Sequence, residues 1–124
     1  MQYSELDSLA NSTVDSVRFT TQYIEIRLYG GFKRERKYAT LQIEADFTFT
    51  IADKSYVIKG DNQNNYPLLL RLMGKTLEKI SLSSKDDIHL FFADEMQIEV
   101  YAGGPYEAWT LDVDDIGFYV GTPG

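Results

Sequence analysis

The chain of 124 residues contains no cysteine. That removes disulfides, a thiolate nucleophile and every zinc site built on sulfur. It holds a single histidine, His89, so any transition-metal site would have to be assembled from one imidazole and carboxylates alone, a weak donor set. No apolar run approaches the roughly 18 residues that a membrane helix requires. The opening MQYSELDSLANST lacks the basic and apolar regions of a signal peptide. A soluble, cytoplasmic protein is therefore expected, with no membrane partner. Lysine and arginine are missing altogether after Lys85.

This last absence has a counterpart. Residues 1–85 carry twelve basic and ten acidic side chains, a net of +2, whereas residues 86–124 carry nine acidic side chains and none that is basic, a net of −9. The nine are Asp86, Asp87, Asp94, Glu95, Glu99, Glu107, Asp112, Asp114 and Asp115. With an overall charge of −7, nucleic acid is a poor partner, because its phosphates would be repelled. A cationic macromolecule is a good one. The plainer reading is that these acids solvate exposed strand faces and turns, and that folding disperses them.

What is present points to sheet. Hydrophobic content of 44% and aromatic content of 14% are values that support a folded core, and the tyrosines and phenylalanines favour strands. The cleanest pattern opens at residue 88. Ile88, Leu90 and Phe92, then Met96, Ile98 and Val100, alternate with His89, Phe91, Gln97, Glu99 and Tyr101. Period two over so many positions predicts a half-buried antiparallel hairpin. Strand signals at 106–111 and 117–120 extend it into a meander. Earlier strands are expected at 16–19 and 23–29. A long one at 40–51 puts Leu41, Ile43, Ala45, Phe47, Phe49 and Ile51 on one face, and a short partner follows at 56–58.

The polar stretch 60–65 is a loop. Asn64 or Asn65 is expected to cap a short apolar helix at 68–73, with Pro67 in its first turn and Gly74 closing it. One or two further helical turns are expected from Ser4. Residues 76–82 read as a strand in which Leu77 and Ile80 have opposite parity, a conflict that a bulge or a late helix end would resolve. The cluster Lys33, Arg34, Arg36 and Lys37 is read as a solvated loop between strands. The sum is an α+β fold in a single domain, residues 1–124, with a curved, mostly antiparallel sheet of about eight strands closed by one short central helix.

The C-terminal half resembles a family of small, functionally uncharacterised bacterial proteins. Their pattern is a Leu-rich helix, then G-x-T-[VL], then L-x-F-x-D-G-x-x-[LI]-x-V, then E-A-W-x-L and a chain end rich in Gly and Pro. The matching residues are Gly74, Thr76 and Leu77, then Leu90, Phe92, Asp94, Ile98 and Val100, then Glu107, Ala108, Trp109 and Leu111, and finally Gly121 and Gly124. Glu95 stands where the family turn has glycine, so the hairpin is expected to close differently. Some proteins of this appearance lie beside toxin genes as immunity proteins, and a function is implied by the resemblance only through that association.

Other chemistry finds little support. Residues 112–117 begin like a calcium loop but fail at Ile116 and Pro123. A Ser-His-Asp triad through His89 lacks a nucleophile elbow, and His89 reads instead as an exposed cross-strand neighbour of an acid. Glu99 and Glu107 form the kind of carboxylate pair that any acidic sheet offers. No enzyme activity, metal or cofactor is expected. Trp109 is either a core anchor, the preferred reading, or an interface hot spot.

Asp94, Glu95, Glu99, Tyr101, Tyr106 and Glu107 are the expected partner-binding residues, with tyrosines giving contact area among carboxylates that steer a basic protein. The expected partner is a cognate toxin domain of the basic nuclease type. The alternative is a small-ligand domain with a cavity among Phe47, Phe49, Phe92 and Trp109 on the concave side of the sheet. A structural role, with the sheet serving only to build an oligomer, is the third.

Overall fold

Alternating apolar residues become ten strands in a computed structural model that describes residues 3–32, 35–104, 107–114 and 117–121. In chain order these are β1 (Thr13–Phe19), β2 (Ile24–Phe32), β3 (Glu35–Ile43), β4 (Phe47–Ile51), β5 (Lys54–Ile58), β6 (Leu77–Leu82), β7 (Ile88–Phe92), β8 (Met96–Val100), β9 (Trp109–Val113) and β10 (Gly117–Val120). Two 3₁₀ helices, Tyr3–Leu9 and Gln63–Leu72, complete the α+β fold.

The single curved sheet read from the sequence resolves into two. One runs β1-β2-β3-β9-β10 and the other β5-β4-β8-β7-β6, with every pairing antiparallel. Ile26, Leu41 and Leu111 from the first sheet and Phe49, Ile98 and Leu90 from the second are fully buried in one common cluster.

The expected strand at 40–51 is two strands. β3 belongs to the first sheet and β4 to the second, and residues 44–46 carry the chain across. Alternation survives the crossing because the inner faces of both sheets look at the same core, so Ile43 and Phe47 are both buried. The bend is held by Ala108, whose carbonyl accepts from the amides of Glu44 (2.9 Å) and Ala45 (3.3 Å). Elsewhere the edges of the two sheets meet. Thr13 bridges Thr76, the Val14 amide donates to the Lys75 carbonyl (2.9 Å), and the Leu77 amide donates to the Ser12 carbonyl (2.8 Å). Tying two edges together hides backbone groups that would otherwise invite intermolecular pairing.

The bulge expected in β6 is present. The register with β7 shifts between Leu77 and Lys79, which lets both Leu77 and Ile80 face inward. The central helix begins earlier than expected. Asn62, rather than Asn64 or Asn65, takes the cap by accepting from the Asn64 amide (3.0 Å), and Pro67 lies inside the helix instead of in its first turn. At about three residues per turn, Leu69 and Leu72 stack on one side and are buried, while Leu70 remains half-exposed. The basic cluster, expected as a solvated loop, is strand in part. Arg36 and Lys37 already belong to β3 and pair with Gly31 and Gly30 of β2, because the ladder starts at Phe32↔Glu35, while Lys33 and Arg34 lie outside the described residues.

The β7–β8 hairpin corrects one expectation. Asp94 and Glu95 both take the left-handed backbone, with φ of 62° and 60°. Glu95 therefore closes the turn in the conformation that a glycine would adopt, and it holds a region that costs a residue with a side chain about 1 kcal/mol or more. Glu95→Gly is expected to leave stability unchanged or raise it, and Glu95→Val to lower it by about 1–2 kcal/mol, as read by urea denaturation.

Trp109 is core, as preferred. It is fully buried, and its indole Nε1 donates to the Asp86 carbonyl (2.8 Å). Gly121 presses on the ring, and a Cβ there would stand 2.3 Å from Nε1. Gly121→Ala is expected to cost about 1–3 kcal/mol through overpacking, seen as a lower denaturation midpoint with an unchanged slope.

Candidate functional site

The acidic residues of the final third divide by where their strands end. β8 is five residues long, about 16 Å from one end to the other. Asp94 and Glu95 occupy its hairpin end, while Glu99 and Tyr101 mark its far end. At the hairpin end Asp94 is ion-paired with Lys75, which precedes β6, and the Glu95 carbonyl accepts from the Ala52 amide (2.9 Å). Asp112 and Asp114 belong to the other sheet's β9 and the turn after it, and Asp114 accepts from the Tyr38 amide (3.0 Å). The eight of these acids among the described residues thus do not form one surface. Tyr106 and Asp115 lie outside the described residues.

Two of the expected residues, Glu99 and Tyr101, meet directly, and a third, Glu107, shares a concavity with Tyr101. Glu99 points outward from β8, opposite His89 on β7 and Thr48 on β4. Tyr101 follows β8, and its hydroxyl donates to Glu99. The other oxygen of Glu99 lies 3.3 Å from His89 Nδ1, while His89 Nε2 meets Gln97 Oε1 at 2.9 Å. His89 is thus the cross-strand neighbour of an acid, as expected, but half-buried rather than exposed. Its ring stacks on Phe91 at 4.0 Å, and the Lys79 ammonium lies over Phe91.

A shallow concavity of about 200 Å³ is lined by Ser81, Ser83, Asp87, His89, Glu99 and Tyr101 among others. Asp87 is fixed there by accepting from the Ala102 amide (2.7 Å). Beyond Tyr101 a second concavity, of about 280 Å³, is lined by Glu44, Asp46, Gly104 and Glu107 together with Tyr101 itself. Tyr101 is the wall common to both, and it is 58% exposed.

Glu44 and Asp46 are the members that sequence reasoning missed. Their outward parity is visible in the sequence, but the pattern sets them within a strand and in the half of the chain whose charges balance. The crossing between sheets carries them to Glu107, which the two amide bonds to Ala108 hold beside them.

The four aromatic residues expected to line a ligand cavity are instead packed into the core. Phe49 and Trp109 are fully buried, and Phe47 and Phe92 nearly so. A concavity of about 540 Å³ lies elsewhere, between the β1–β2 turn and the second 3₁₀ helix, lined by Phe19, Thr20, Thr21, Gln63, Tyr66, Pro67 and Leu70. Among the described residues no three His, Asp or Glu side chains are grouped to hold a metal ion, and no helix is long and apolar enough to cross a membrane.

The Tyr101 hydroxyl is held above its ordinary titration range. The main cause is the hydrogen bond to Glu99, followed by the negative charge of that carboxylate. Both favour the neutral phenol, so the bond persists through neutral pH and is lost only as the pH rises through the elevated midpoint. Glu99→Gln is expected to return the Tyr101 midpoint towards about 10, the ordinary tyrosine value, in a ring-carbon NMR titration. An unmoved midpoint would show that the bond does not form in solution.

Comparison with known proteins adds the family and no function. No curated protein and no solved structure matches the chain. Residues 6–124 match the model of a family described only as being of unknown function, DUF6188, and the chain belongs to that family.

Proposed function

We propose that this protein is a binding module without catalytic turnover, and that it takes a basic protein partner on the outer surface around Tyr101. The observation that carries the reading is the surrounding of this exposed tyrosine. Glu99, Asp87, Glu107, Glu44 and Asp46 line the two concavities that it separates, and no Lys or Arg among the described residues lines either. An exposed aromatic ring provides contact area, and unopposed acids steer a cationic surface towards it. The hairpin tip contributes less, because Asp94 is already paired with Lys75. Tyr106, which neighbours Glu107 in sequence, belongs to the same proposal.

The most concrete form of this reading is a cytoplasmic immunity protein that neutralises a cognate toxin, of the basic nuclease type, by covering its active site. The resemblance of the Leu90 to Val100 and Glu107 to Leu111 motifs supports that form, and the acidic surface suits such a partner. The test is association with the protein encoded by the adjacent upstream reading frame, measured over a range of salt. Glu99→Lys and Glu107→Lys are each expected to slow association by about tenfold at low ionic strength without loss of fold, and Asp94→Lys to slow it far less. Equal rates for all three variants and the unmodified protein would sink the assignment of this surface.

A further inference from the structure

We propose that His89 makes the surface around Tyr101 sensitive to pH, weakening its hold on a cationic partner as the pH falls. The inference rests on the reading above and adds a regulation to it. His89 is the only histidine in the chain, and no cysteine is present, so a response between about pH 5 and pH 8 has one side chain to act through.

The ring sits between two acceptors, with Glu99 Oε2 3.3 Å from Nδ1 and Gln97 Oε1 2.9 Å from Nε2. A neutral imidazole has one N–H and donates to one of them. The imidazolium has two and donates to both. Stacking on Phe91, itself covered by Lys79, holds the ring in that slot.

Glu99 is the point at which this matters. One of its oxygens accepts from Tyr101 and the other faces the ring. When His89 is neutral, Glu99 presents a full negative charge to a partner docking on Tyr101. When His89 is protonated, the same carboxylate is neutralised from within the fold, and a positive charge is added at the docking surface.

The remaining groups that face the ring from neighbouring elements do not reproduce this. Asp87, in the turn before β7, is a carboxylate tied to the Ala102 amide. Lys79, on β6, reaches the ring only through Phe91. Tyr101 carries no charge over this range, and Glu99 moves its titration further upward. Ser81 and Thr48, in the same cross-strand row, carry no charge. By reciprocity, a bound cation opposes protonation of His89.

The probe is an octa-arginine peptide at low ionic strength, with affinities measured at about pH 5.5 and about pH 8 for the unmodified protein and for His89→Gln, which keeps a donor for Glu99 but takes no charge. The unmodified protein is expected to bind roughly fivefold more weakly at the lower pH, and His89→Gln to show little change. The same pH dependence in both proteins, or none in the unmodified one, would overturn the inference.

A second measurement needs no partner. In the free protein the ring resonances of Tyr101 are expected to follow the titration of His89 through Glu99, and to stop doing so in His89→Gln. Tyr101 resonances that ignore that titration would refute the coupling. Absence of peptide binding at both pH values, with the coupling intact, would instead refute the surface assigned above.

Discussion

Two amide hydrogen bonds to the carbonyl of Ala108 set the arrangement of this molecule. They fix the place where the chain leaves β3 in one sheet and enters β4 in the other, and a sharp crossing needs such partners because its backbone groups are no longer paired within a strand. Ala108 is in turn held by Gly121, whose carbonyl accepts from its amide at 3.1 Å, and Gly121 packs on the buried Trp109. The β9–β10 pair, the sheet crossing and the anchoring indole are therefore one mechanical unit. The acidic surface is a by-product of that unit. Glu107 precedes Ala108, Glu44 and Asp46 flank the crossing, and the bonds that close the core also bring the carboxylates side by side.

The opposite seam has the reverse effect on charge. Where β1 meets the segment leading into β6, the Lys75 carbonyl accepts from the Val14 amide, the Lys75 amide donates to the Leu72 carbonyl, and the side chain reaches Asp94 at the β7–β8 tip. An exposed pair of this kind adds little to stability. It does offset one negative charge at the tip of the β7–β8 hairpin. The two ends carry similar numbers of acids in the sequence, and tertiary structure separates them by giving one end Lys75 from the charge-balanced part of the chain.

That separation marks the limit of what could be read in advance. Strand identity was legible wherever one face is buried, as in the 88–100 hairpin, the bulge implied by Leu77 and Ile80, and the core role of Trp109. All follow from side-chain parity, which the core enforces. The division into two sheets was not legible at residues 44–46, because parity records only which side faces the core and both sheets share one core. The surface was half legible for a related reason. Counting charges along the chain identified Glu99, Tyr101 and Glu107. It had no means of adding Glu44 and Asp46, which arrive from a region of balanced charge, or of discounting Asp94. The cross-strand contact of His89 with an acid was legible, since opposite positions of a hairpin are fixed once its register is known.

The acids around Tyr101 are not equivalent, and their differences bear on how a partner would be held. Glu99 has both oxygens engaged, by Tyr101 and by the His89 ring, and Asp87 and Asp46 each accept from a backbone amide. Carboxylates already bound within the fold are oriented without further loss of side-chain entropy, but they meet a partner with part of their hydrogen-bonding capacity used. Glu44 and Glu107 are exposed, and their charge extends into solvent. A division of labour follows from this. On the proposed reading the exposed pair would supply long-range attraction, which salt screens, while Tyr101, bonded to Glu99 and bordering both concavities, would supply short-range contact that salt leaves largely untouched. Encounter and retention would then depend on different side chains of one surface, with the Glu99 carboxylate, shared between Tyr101 and His89, linking the contact residue to the charge around it.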